Sequence, residues 1–204
     1  MSNKPYSQAC ENNKQPILNV LQRVFSQSKQ VLEIGSGTGQ HAAFFAPNLS
    51  HLVWQTSDLL ANHDGIHLWL KETQAVNLRS PINFKIGQHD WPNSSLEHKG
   101  LTNAEFDAVF TANSTHIMQP HEAQQMMQLV GEHLPAEGVF CQYGPFNING
   151  QYTSESNRVF DQHLKGQHCG GIQSIEQLQE WAVGLSLVEQ NKMPANNMLL
   201  VWRK

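Results

Sequence analysis

The chain has 204 residues, 39% of them hydrophobic and 15% charged, with a formal net charge of -4. That length and apolar content suit one domain, 1–204, able to bury a core without staples, and they exclude an intrinsically disordered chain. An acidic balance with no dense run of Lys or Arg excludes the basic surface that tracks phosphates, so nucleic acid is not an expected partner.

The cysteines Cys10, Cys141 and Cys169 are odd in number, far apart and free of any C-x-x-C spacing, which predicts free thiols in a reducing compartment. No apolar run approaches the ~18 residues of a membrane span. The expectation is therefore a cytoplasmic protein with no signal peptide and no membrane partner.

Residues 1–14 are polar and read as an irregular N-terminal arm. Behind Pro16, which suits the first turn of a helix, the apolar residues Ile17, Leu18, Val20, Leu21, Val24 and Phe25 recur at helical spacing. Residues 31–34 have the continuous apolarity of a strand covered on both faces. A glycine loop follows, then a helix over 41–46, a strand over 52–57 that ends at Asp58, and a helix over 62–75. The third strand is expected at 82–86, leading into His89, Asp90, Trp91 and Pro92. Residues 93–103 read as a loop or a short frayed helix. A fourth strand is expected at 106–111, a helix around Met126, Met127 and Val130, and a fifth strand at 139–143.

The alternation lapses over 144–173, where a short helix at 156–165 and a glycine-bearing loop suggest an insertion on the substrate side. Ser174 and Gln177 read as a capping box for a further helix. Residues 187–190 and 198–202 are short strands close enough to pair antiparallel. Strand and helix alternating in this way predict a doubly wound, Rossmann-like α/β sheet of about seven strands, mostly parallel, with a C-terminal antiparallel hairpin.

In such sheets ligands bind beyond the carboxyl ends of the strands, where strand order reverses, and the loop after the first strand lies there. Gly35, Gly37 and Gly39 alternate in that loop, so its backbone can take positive φ and approach a ligand that a Cβ would exclude. Asp58 ends the second strand, 23 residues beyond Gly35, where a carboxylate matches the paired hydroxyls of a ribose. A dinucleotide loop normally carries a small residue at the sixth position of G-x-G-x-x-G; here that position is Gln40, which favours a nucleoside ligand without a pyrophosphate. His63 and His67 have i, i+4 spacing but no third ligand at a recognisable distance, so no metal site is expected.

Residues 31–39, Asp58 and the His89-Asp90-Trp91 turn are similar to the cofactor motifs of class I S-adenosylmethionine-dependent methyltransferases. Residues 9–18, 35–41, 54–58 and 143–147 more specifically resemble the methyltransferase-like 26 family. The resemblance implies S-adenosylmethionine as cofactor. Gly35, Ser36, Gly37 and Gly39 would pass under its methionine end, with Glu33 fixing either the loop or the ammonium. Asp58 would take the ribose hydroxyls, Asp90 would accept from the adenine amino group, and Trp91 or Leu59 would supply apolar contact to the ring. Asn113 and His116 follow the fourth strand, where such enzymes place residues near the transferred methyl, and Tyr143 ends the fifth; these are the catalytic candidates, His116 as general base.

Where the family pattern leads us to expect an Arg-Asp-Pro-x-Trp-Gly-Ile-Arg-Asp-like run, the chain has Gly166-Gln167-His168-Cys169-Gly170-Gly171-Ile172-Gln173-Ser174. The expected activity is methyl transfer to an unidentified acceptor, a small molecule in the leading reading. The alternative is a regulatory protein that binds S-adenosylmethionine or its demethylated product without turnover. A third reading, an NAD-dependent oxidoreductase, is disfavoured by Gln40.

Overall fold

The computed structural model describes residues 4–92 and 105–204. Five strands, β1 (Gln30–Ile34), β2 (Val53–Asp58), β3 (Leu78–Asn83), β4 (Ala108–Ala112) and β5 (Val139–Gly144), run parallel. Two more, β6 (Ser186–Met193) and β7 (Asn197–Arg203), complete a seven-stranded sheet of order β3-β2-β1-β4-β5-β7-β6. The strand β7 is antiparallel to both β5 and β6. The mostly parallel sheet and its terminal antiparallel pair are as the alternation predicts, and the order reverses between β1 and β4.

The helices are α1 (Gln8–Val24), α2 (Gln40–Asn48), α3 (Leu60–Thr73), α4 (Pro120–His133), α5 (Glu155–Gly166) and α6 (Ile175–Trp181). The strands alternate their side chains into two cores. Val31, Trp54, Phe110 and Val201 face one cluster, with Ile17, Leu21 and Phe45 from α1 and α2. Leu32, Val109, Phe140 and Trp202 face the other, with Met126 and Val130 of α4 and Leu178 of α6. None of the described helices is long and apolar enough to cross a membrane.

Several expectations are corrected. The predicted N-terminal arm is helical from Gln8 onward, capped by Ser7, whose Oγ accepts from the Cys10 N–H at 3.4 Å. Pro16 therefore lies inside α1 and not in its first turn. A helix-interior proline costs about 3 kcal/mol. Ile17, Leu18 and Leu21 are at most 2% exposed, and each contributes about 2 kcal/mol on burial, so packing prevails over the break.

The third strand begins at Leu78 and not at Ile82, and it includes Pro81. Pro81 is tolerated there because β3 is an edge strand and its pairing with β2 shifts register between Gln55 and Ser57. Ser174 caps α6 by accepting from the Gln177 N–H, but the Gln177 amide turns to Glu180, so the box is half formed. A full capping box stands instead at Gln119 and Glu122 of α4. The loop expected at 93–103 lies outside the described residues.

Candidate functional site

The strand-order reversal leaves a cleft of about 580 Å³ at the carboxyl ends of β1 and β4, walled by the glycine loop, Asp58, Leu59, Asn113 and Ser114, among others. The loop stands on a buried network. The N–H groups of Gly35 and Ser36 donate to the Ser57 carbonyl at 3.1 and 3.0 Å, which ties the loop to the end of β2. Ser36 Oγ accepts from the Ser57 N–H at 3.1 Å and donates to Glu33 Oε2 at 2.8 Å. The same carboxylate oxygen accepts from the Trp54 indole at 3.1 Å.

Glu33 is 2% exposed, and burial pushes its pKa up to about 7 against the pull of those two hydrogen bonds. It does not line the cleft. Of the two roles open to it, fixing the loop is the one its contacts match.

Each glycine has its own constraint. Gly35, Gly37 and Gly39 all take positive φ, at 73°, 57° and 88°. A Cβ on Gly35 would lie 2.7 Å from Ser114 Oγ, so this glycine lets the loop close on the turn after β4. A Cβ on Gly37 would meet no atom within 4 Å, which leaves bare backbone beside the cleft. Gly39 is not on the cleft wall: its Cβ position lies 3.0 Å from Ile66 Cα, so it serves the close approach of α2 to α3.

Asp58 is 7% exposed and accepts three hydrogen bonds. Its Oδ2 accepts from the Gly37 N–H at 2.6 Å, while Oδ1 accepts from the Leu59 N–H and the Asn62 amide, both at 2.7 Å. Leu59 is 43% exposed at the cleft edge. Asn113 stands just past β4 with φ of 58°, and its N–H donates to the Tyr143 carbonyl at 2.9 Å. Asparagine is among the few non-glycine residues that adopt this conformation readily.

The family model described as "Protein of unknown function (DUF938)" matches residues 4–204. The chain belongs to the DUF938 family. The fold of this DUF938 chain is similar to that of solved methyltransferases. An O-methyltransferase family 2 protein from Planctomyces limnophilus, in complex with apigenin, superposes with a TM-score of 0.80 at 14% identity, over 96% of this chain and 57% of that one. An O-methyltransferase family protein from Burkholderia thailandensis gives 0.74 at 15% identity, over 94% and 56%. PigF with SAH gives 0.73 at 17% identity, over 93% and 55%. The DUF938 chain thus spans a little over half the length of these proteins, and what it shares with them is the fold.

Within that fold, other predicted residues stand apart from the cleft. Asp90 and Trp91 border a separate depression with His89 and residues of α4, where Trp91 stacks on His133 at 4.9 Å between ring centroids. Tyr143 is 2% exposed in the core beneath α1, and burial raises its pKa. His116 is 5% exposed, meets Phe160 edge-on at 5.4 Å, and burial pushes its pKa down to about 4. Neither Tyr143 nor His116 lines the cleft. His63 and His67 rings meet edge to face at 6.3 Å, and among the described residues no group of three or more His, Cys, Asp or Glu is placed to hold a metal.

The cleft also uses residues that sequence reasoning missed. Ser7 and Cys10 of the N-terminal segment, His41 of α2, and Phe84 and Ile86 after β3 all line it. His41 Nε2 lies 2.6 Å from Asn13 Oδ1, which joins α2 to α1. The segment around residues 9–18 carries the resemblance, and that was the available signal; reading it as an arm hid its position.

Proposed function

We propose that the DUF938 chain binds S-adenosylmethionine in this cleft and transfers its methyl group to a small-molecule acceptor. The observation that carries the proposal is the placement of Asp58 beside the unobstructed backbone of Gly37: a carboxylate suited to ribose hydroxyls next to a surface with no side chain. The donors and acceptors present fit the cofactor. Gly35, Ser36 and Gly37 offer backbone to its methionine end, Glu33 holds that loop from behind, and Leu59 supplies an apolar edge.

Phe84 and Ile86, which line the cleft, take the apolar contact to the adenine ring that the resemblance assigns to Trp91. When bound, the cofactor supplies a methyl group already activated by its sulfonium. What remains for the protein is alignment of the acceptor, since orientation supplies much of the rate in a bimolecular displacement. Asn113 and Ser114, on the turn beyond β4, are placed for that task, with Ile117 and Met118 as apolar neighbours in the same wall.

The apigenin complex of the Planctomyces protein favours a small-molecule acceptor. The closer likeness to the methyltransferase-like 26 family, carried by residues 9–18 and 143–147, is part of the same proposal. A second reading, a cofactor-binding regulator without turnover, is favoured by one observation: His116 and Tyr143 are packed away from the cleft.

Incubation with methyl-labelled S-adenosylmethionine and fractionated cell extract separates the two. Label appearing in a small-molecule fraction supports transfer. Binding of the cofactor with label in no fraction supports the regulator.

A further inference from the structure

The N-terminal segment reaches the cleft by crossing α3, and its docking is made by residues that do not themselves line the cleft. Pro5 lies directly on the α3 backbone at Gly65, where a Cβ would stand 2.6 Å from Pro5 Cγ. The Trp69 indole N–H donates to the Pro5 carbonyl at 2.8 Å, and Lys4 Nζ sits 3.5 Å from the centroid of the Trp69 ring while pairing with Glu72. Next along the chain, Gln40 holds both backbone polar groups of Ser7. Its Oε1 accepts from the Ser7 N–H at 2.5 Å, and its Nε2 donates to the Ser7 carbonyl at 3.3 Å. The same amide nitrogen donates to Glu11 Oε1 at 3.2 Å.

Ser7 and Cys10 then form part of the cleft wall. Gln40, the residue that breaks the dinucleotide pattern, is therefore the clasp of this segment, and it stands next to Gly39 at the start of α2.

We infer that residues 4–7 form a strap over the cofactor cleft, and that Gly65, Trp69 and Gln40 are positioning residues that hold it closed and so set how fast the cofactor leaves. The inference rests on the cofactor reading above. Its physical basis is the kind of contact involved. The strap is held by hydrogen bonds, an exposed ion pair and one proline on one glycine, and not by insertion of a large side chain into either core. Contacts of this kind open at lower cost than a core. Closed, the strap supplies the wall at Ser7, beside Cys10 of α1; lifted, it leaves that side of the cleft open.

Gly65→Ala tests this without weakening the helix, because alanine is the better helix residue and only its methyl group collides with Pro5. Trp69→Phe removes the indole N–H and retains most of the ring. Both variants and the wild-type chain are examined by hydrogen exchange over residues 4–10 and by surface plasmon resonance with S-adenosylhomocysteine.

The inference predicts faster exchange over residues 4–10, a dissociation rate higher by roughly two- to tenfold, as for one lost hydrogen bond, and an unchanged thermal midpoint for Gly65→Ala. Faster exchange with a dissociation rate unchanged from wild type overturns the strap and leaves the cofactor reading standing. Exchange unchanged in both variants also overturns it, since the strap would then not depend on Gly65 and Trp69. Absence of any S-adenosylhomocysteine binding to the wild-type chain overturns the cofactor reading itself, and the strap's role with it.

Discussion

The Asp58 carboxylate closes onto the glycine loop, with Oδ2 accepting from the Gly37 N–H at 2.6 Å. One side chain at the end of β2 thus shapes the loop after β1 and presents a carboxylate beside bare backbone. Hydrogen bonds to a charged group contribute about 1.5–3 kcal/mol each. Asp58→Ala should therefore weaken S-adenosylhomocysteine binding on the order of 10- to 100-fold, as read by equilibrium titration. An unchanged dissociation constant would remove Asp58 from the ribose site.

Glu33 gives the loop a pH dependence. Its folded pKa is raised from 4.5 to about 7, chiefly by burial. The folded protein keeps a proton that the unfolded chain has already released, so Glu33 subtracts stability progressively as pH rises from 4.5 to about 7 and by a constant amount above that. The loss is on the order of 3 kcal/mol. Glu33→Gln retains an oxygen for Trp54 and Ser36 but does not ionise. Its thermal midpoint relative to wild type should climb across that pH window, and a difference independent of pH would contradict the buried proton.

His116 acts with the opposite sign. Burial lowers its pKa from 6.5 to about 4, so it stays neutral in the fold while the unfolded chain protonates. Its contribution is intact above pH 6.5 and is lost as pH falls toward about 4. His41, lowered to about 4 by burial, adds to the same limb. His116→Gln should flatten the acid limb in denaturation profiles and leave S-adenosylhomocysteine affinity intact. A large loss of affinity would place His116 in the binding site after all.

Asn113 combines a backbone and a side-chain role that two substitutions separate. At φ of 58°, alanine should destabilise the fold by about 1 kcal/mol. Glycine fits the backbone but presents no side chain, so Asn113→Gly should keep the thermal midpoint and lose methyl transfer. Equal transfer by Asn113→Gly and wild type would show that the side chain does not align the acceptor.

The part of the site built from adjacent strand ends was legible in the sequence. A strand over 31–34, a glycine loop and an acid closing β2 follow from periodicity and spacing alone, and β1 adds only Gln30 to that reading. What escaped was decided by tertiary packing. The first helix is expected behind Pro16 and the third strand from Ile82, yet burial along α1 and the edge position of β3 admit Pro16 and Pro81 inside those elements. Alternation along β5 says that Gln142 and Tyr143 face opposite ways, but not that α1 covers the Tyr143 side. The wall at Ser7 depends on contacts 33 and 64 residues apart in sequence, through Gln40 and Trp69, and no local pattern encodes those.

The central claim is that the cleft holds S-adenosylmethionine through Asp58 and the glycine loop. Isothermal titration of the wild-type chain with S-adenosylhomocysteine and with NAD tests it most directly. The account predicts micromolar, one-to-one binding of S-adenosylhomocysteine and no heat from NAD; binding of NAD with none of S-adenosylhomocysteine would contradict it.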